Sequence, residues 1–152
     1  MSINEKLLKK GIVLQDVQKP KFSYIPAVQT GNLIYVSGQD CRVNGKLLYE
    51  GYLGKDLTVE QGQKAARQCA INCLSVLNWY LGDLNKIKQI VKLLGFVQSA
   101  KGFQEQPYVM NGASDLFSEI FGENGQHARS AIGTNELPFN TPVEIELIVE
   151  VF

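Results

Sequence analysis

The sequence predicts an α+β domain, one sheet with helices packed on a single face. Three observations predict it: strand pairs come before a helix–strand–helix–strand run, two segments repeat apolar residues every three or four positions, and the last ten residues alternate with period two. At 152 residues the chain has the length of one domain, residues 1–152, with enough interior to form a core unaided.

Ser2-Ile-Asn-Glu5 has the pattern of a capping box, so a short helix should run to about Lys10 with Ile3, Leu7 and Leu8 inward and stop at Gly11. Ile12–Val17 alternates enough for an edge strand. Gly31-Asn32 reads as a turn feeding the β-branched run Leu33–Ser37. Asn44-Gly45 predicts a hairpin with a type I′ turn, which needs two positive φ values. Thr58, with Gln61 three residues on, should cap a long helix. Ala66, Cys69, Ala70, Cys73, Leu74, Leu77 and Leu81 form its buried stripe as far as Gly82.

Ile87–Gln98 reads as a central strand, interrupted or kinked at Gly95. Pro107 fits the first position of another helix, which would bury Val109, Ala113, Leu116, Phe117 and Ile120. Gly122–Gly125 is a loop. At the end, Val143, Ile145, Leu147, Val149 and Val151 define one strand face, and Glu144, Glu146, Ile148, Glu150 and Phe152 the other. Helices on one side leave the second sheet face in need of cover, and a partner subunit is one source.

Composition narrows the function classes. Hydrophobic residues make up 45% and charged residues 20%, ordinary for a globular chain. Fifteen Lys and Arg balance fifteen Asp and Glu, which argues against nucleic acid or anionic membrane as the main partner. Three cysteines, no apolar stretch long enough to span a bilayer and no signal-like start suggest a cytoplasmic protein. Cys69 and Cys73 fit core thiols better than a redox pair. A single histidine, His127, and no Cys-x-x-Cys pair give a metal site little to work with. Gly51–Asp56 lacks the hydroxyl residue of a phosphate loop, and Ser37-Gly38 lacks the flanking glycine of a nucleophile elbow.

The segment His127-Ala-Arg129-Ser-Ala131-Ile-Gly133, followed by Leu137-Pro138 and Val143-Glu144-Ile-Glu146, carries the most chemical information. Taken locally, Arg129 reads first as decoration of an edge strand, surface arginines being common, and second as a planar two-point clamp for a small carboxylate. Glu144 is a solvated residue on an open face, or a base or water-positioner beneath a partner subunit.

Ala128-Arg-Ser-Ala-Ile-Gly133, Leu137-Pro138 and Val143-Glu-Ile-Glu146 closely resemble the C-terminal signature of the reactive intermediate deaminase family, also called YjgF-like or endoribonuclease L-PSP. Gly31-Asn-Leu-Ile-Tyr-Val-Ser37-Gly38-Gln39 resembles its N-terminal strand motif, and Thr58–Leu81 and Val109–Phe117 its two helices. The resemblance runs from about Ile12 to Phe152, with residues 1–11 an extra N-terminal helix typical of a longer subgroup. It implies a chorismate-mutase-like α+β fold with two long helices on one face, and a homotrimer with ligand clefts between subunits. It also implies hydrolysis of enamines and imines of the 2-aminoacrylate type to 2-oxo acids and ammonia, without metal or organic cofactor. By position, Arg129 matches the carboxylate-binding arginine, Glu144 the water-handling glutamate and Tyr24 the cleft tyrosine. Ser37, Gly38 and Asn111 match cleft-forming positions. Ala131 stands where deaminase members carry a cysteine, a change tolerated if that position acts through its carbonyl. A carboxylate-binding trimer without turnover is the alternative reading, and an endoribonuclease the third.

Overall fold

The computed structural model describes residues 1–152. Helix α1 (Ile3–Lys9) forms as its cap predicts: Ser2 Oγ accepts from the Glu5 amide at 3.1 Å, and Glu5 accepts from the Ser2 amide at 2.9 Å. Ile3 and Leu7 are buried, but Leu8 is 77% exposed, so the helix buries a narrower stripe than expected. Ile12–Val17 forms no strand. The Gln15 amide donates to Ser75 Oγ at 2.8 Å, and Gln15 Oε1 accepts from the Asn44 amide at 2.9 Å. These side-chain partners fix the segment along a helix rather than along the sheet edge.

Strands β1 (Ala27–Thr30) and β2 (Leu33–Gln39) form one hairpin, and β3 (Arg42–Val43) and β4 (Lys46–Leu47) a smaller one. Asn44 and Gly45 adopt φ of 52° and 81°, as the type I′ turn requires. Helix α2 (Val59–Leu81) starts at the Thr58–Gln61 box and ends at Gly82, whose φ of 77° and bond to the Asn78 carbonyl close its last turn. Strand β5 (Ile87–Gln98), helix α3 (Gln106–Phe121), strand β6 (Ala128–Thr134) and strand β7 (Val143–Val151) complete the chain. Pro107 is the second residue of α3 rather than the first, a place where an amide is equally unneeded.

The main sheet has the order β1-β2-β7-β5-β6. All neighbours are antiparallel except β5 and β6, whose parallel pairing uses α3 as the crossover. Strand β5 runs through Gly95 without a break, and its register shifts lie earlier, between Ile87 and Gln89 and between Ile90 and Lys92. Gly95 serves packing: a β-carbon there would overlap the Met110 side chain of α3. Likewise a β-carbon on Gly112 would run into the Gln63 carbonyl, so that glycine sets how closely α2 and α3 approach.

The core lies between the sheet and these two helices. Val143, Ile145, Leu147, Val149 and Val151 are buried beneath Cys69, Cys73, Leu74, Leu77, Leu116 and Phe117. Cys69 and Cys73 are the core thiols the sequence suggests. Both are fully buried, lie within 3.8 Å of the Val143 and Ile145 carbonyls, and are held protonated chiefly by burial. No helix is long and apolar enough to cross a membrane.

Candidate functional site

The sequence-predicted residues fall into two groups. The first is built on β6 and α3. Arg129 is in register with Leu93 of β5, which pairs with Leu147 of β7, so it points to the helix side of the sheet. Its Nη1 donates to Asn111 Oδ1 at 2.9 Å and Ser114 Oγ at 3.2 Å, and its Nη2 donates to the Pro107 carbonyl at 3.3 Å. Pro107, Asn111 and Ser114 are spaced four and three residues apart, which puts all three acceptors on one face of α3. A guanidinium has five N–H bonds, and these contacts use three. The remaining pair, on Nε and Nη2, has no protein acceptor. That edge is the one a carboxylate takes with two parallel hydrogen bonds. Ala131, two residues on, pairs with Gly95 and packs against the core on the same side.

The second group is built on β2, β7 and the loop before β1. Glu144 is in register with Phe96 and lies on the open face, half-buried. Gly38 is its immediate neighbour: a β-carbon there would lie 2.8 Å from Glu144 Oε2. Burial pushes the Glu144 carboxyl above its ordinary range, and the nearby Asp40 and Glu146 charges push it further. Ser37 Oγ donates to the Ile25 carbonyl at 2.6 Å and the Ser37 amide to the Pro26 carbonyl at 2.9 Å. These bonds tie the Tyr24 loop to β2. Tyr24 is about half exposed and lines a polar groove with Pro26, Gly38, Asp40 and Arg42.

The structure therefore brings Arg129, Asn111 and Ala131 together, and separately Glu144, Gly38 and Ser37; Tyr24 lines the groove beyond Gly38, whose other wall is Asn72, Ser75 and Val76 of α2. Within one chain the groups lie on opposite faces. Arg129 and Glu144 are two strands and three residues apart, roughly 14 Å in the plane of the sheet. Sequence reasoning did not find Ser114 as a partner of Arg129, although its spacing from Asn111 was available. Nor did it find Asp40, which reaches Glu144 only through the tertiary fold.

The comparison that decides family membership covers residues 4–151, which match the model described as "YjgF/chorismate_mutase-like, putative endoribonuclease". The chain belongs to this family. Protein TCP17 of Trypanosoma cruzi is 44% identical over 95% of this chain and 91% of its own. The crystal structure of the protein Atu1372 of Agrobacterium tumefaciens, of unknown function, is also 44% identical. It superposes with a TM-score of 0.92 over 99% of this chain and 94% of that one. A 2-iminobutanoate/2-iminopropanoate deaminase of Dermatophagoides farinae is 29% identical over 86% of this chain and 88% of its own. The family assignment agrees with the resemblance carried by Arg129–Gly133 and Gly31–Gln39.

Proposed function

We propose that this YjgF-like protein is a hydrolytic deaminase of small 2-imino acids, yielding 2-oxo acids and ammonia, and that it works as a homotrimer with clefts between subunits. The observation that carries the reading is the guanidinium of Arg129, held by three acceptors on α3 with its Nε/Nη2 edge unclaimed. A 2-imino acid presents a carboxylate that fits this edge. The deaminase relative from Dermatophagoides farinae supports the substrate class.

The same geometry supports the proposed assembly. Arg129 and Glu144 face opposite sides of one sheet, so a cleft containing both needs a second chain. Strand β6 is an edge, and the open face that would receive it carries Val28 and Tyr35, 52% and 44% exposed, beside Ile148. A three-fold arrangement setting the β6 edge of one subunit against the open face of the next gives closed symmetry and covers that face.

In the reaction, an enamine first tautomerises to the imine, whose C=N carbon is electrophilic. Arg129 clamps the carboxylate. Glu144 takes a proton from water as the water oxygen bonds to the imine carbon and the C=N π pair moves to nitrogen, and the same proton is then passed to the nitrogen. From the resulting carbinolamine Glu144 takes the hydroxyl proton and passes it to the nitrogen as the C–N bond breaks, leaving a carbonyl, ammonia and an ionised Glu144. A carboxyl raised above its usual range exchanges protons near neutral pH more readily than an ordinary one. The Ala131 carbonyl accepts from the imine nitrogen, a role that needs no thiol. The test is release of 2-oxo acid from enzymatically generated 2-aminoacrylate. Acceleration over the spontaneous rate supports the proposal, and its absence across several side chains contradicts it.

A further inference from the structure

Behind Arg129 lies a polar relay that the reaction itself does not use. Ser114 Oγ, which accepts from Arg129 Nη1, is also 2.9 Å from His127 Nε2, and His127 Nδ1 is 2.6 Å from the Gly125 carbonyl. We propose that Ser114 and His127 are positioning residues for Arg129, fixing the direction in which its free edge faces the substrate carboxylate. This role rests on the reading of Arg129 as the carboxylate clamp.

The chemistry of the donors orders the relay. The Gly125 carbonyl can only accept, so His127 carries its proton on Nδ1. In the neutral ring Nε2 then offers a lone pair and accepts the Ser114 hydroxyl proton. With its single proton committed to His127, the Ser114 oxygen presents only lone pairs to Arg129. Donation therefore runs one way, from Arg129 to Ser114 to His127, while the ring donates in turn to Gly125. Phe117 meets the imidazole edge-on, with centroids 5.8 Å apart and planes at 87°, which restrains the ring.

Without His127 nothing holds the Ser114 proton away from the guanidinium, and the hydroxyl can rotate until that proton faces Nη1. In that rotamer one of the two acceptors on Nη1 is lost, and Asn111 alone leaves the fork free to swing. The pair superficially resembles a nucleophile and its base. However, the guanidinium occupies the serine oxygen, and Ser114 lies in the middle of α3 rather than at a strained turn. Positioning is the role its surroundings support.

The experiment is a double-mutant cycle on 2-oxobutyrate binding by the assembled protein, with Ser114→Ala, Ser114→Thr and His127→Phe made singly and with Arg129→Ala. Alanine favours a helix and phenylalanine keeps the ring packing, so these variants should fold. Ser114→Ala and His127→Phe are each expected to weaken binding about five- to tenfold. Ser114→Thr should retain most of the affinity, and neither loss should persist with Arg129→Ala. Equal losses in both backgrounds would mean general damage and overturn the proposal, as would unchanged binding in the single variants. If Arg129→Ala itself binds 2-oxobutyrate normally, the clamp reading fails and this role fails with it. A ligand-free measurement decides the positioning separately. The side-chain nitrogen NMR signals of Arg129 should show faster rotation of the Nη groups in Ser114→Ala and His127→Phe than in Ser114→Thr. Identical signals in all three would also overturn it.

Discussion

Gly38 and Glu144 are neighbours on β2 and β7, so close that one added methyl group would meet the carboxylate. A β-carbon on Gly38 would lie 2.8 Å from Oε2 and 3.0 Å from Cδ. The obstructing atoms are the far end of a flexible side chain, so the backbone need not move. Gly38→Ala should then change stability by less than about 1 kcal/mol while displacing the carboxylate. Deaminase activity should fall well over tenfold with an unchanged melting temperature. Retained activity would show that the position of Glu144 does not matter.

Gly112→Ala is the contrasting case. Its β-carbon would strike the Gln63 backbone carbonyl of α2, which cannot rotate away. Separating the two helices should cost about 1–3 kcal/mol or more, by the usual scale for overpacked cores. Chemical denaturation of the two glycine variants side by side checks the difference.

The Glu144 carboxyl gives a pH signature. Burial first, then Asp40 and Glu146, raise it above the ordinary carboxylate range. A raised carboxyl binds its proton more tightly in the folded than in the unfolded chain. Its contribution to stability is therefore complete below the unfolded value and is lost as pH rises through the folded one. Glu144→Gln removes that titration. The variant should be the more stable at neutral pH, with the gap closing below about pH 4. Melting curves across this range test the sign, and the same variant should lose deaminase activity at every pH.

Arg129→Lys should recover little of what Arg129→Ala loses. An ammonium keeps the charge but cannot satisfy Asn111, Ser114 and Pro107 while also offering a planar pair of N–H bonds. Both variants should weaken 2-oxo acid binding by about one to two decades, the range of a charge-assisted contact worth about 1.5–3 kcal/mol. Titration with 2-oxobutyrate measures it. Normal binding by the lysine variant would remove the need for a fork.

Ile148→Asp places a charge on the open sheet face beside Tyr35, with which Ile148 pairs. It should release monomers in analytical ultracentrifugation and abolish activity indirectly, whereas Arg129→Ala should leave the assembly intact. A wild-type chain that sediments as a monomer would contradict the trimer.

Local patterns made much of this fold legible. The Ser2 and Thr58 boxes, the Asn44-Gly45 turn and the alternation from Val143 rest on contacts within a few residues, and each formed as read. Ile12–Val17 misled because its partners, Ser75 and Asn44, are distant in sequence and replace a strand ladder with side-chain bonds. The role of Gly95 was hidden because Met110 reaches it only through packing. In the candidate site, motif resemblance pointed to Arg129 and Glu144. Their placement on opposite faces depends on the pairing of β6, β5 and β7, and no local pattern encodes it.

That separation permits a direct test of the central claim, that one subunit's Arg129 and another's Glu144 complete a deaminase cleft. Arg129→Ala and Glu144→Gln proteins, each inactive alone, are unfolded, mixed in equal amounts and refolded, and 2-aminoacrylate hydrolysis is measured. Random mixing in a three-fold ring gives about one quarter of the clefts both native residues, so about a quarter of wild-type activity should return. A mixture as inactive as its two components, beside an active wild type refolded in the same way, would contradict the shared cleft.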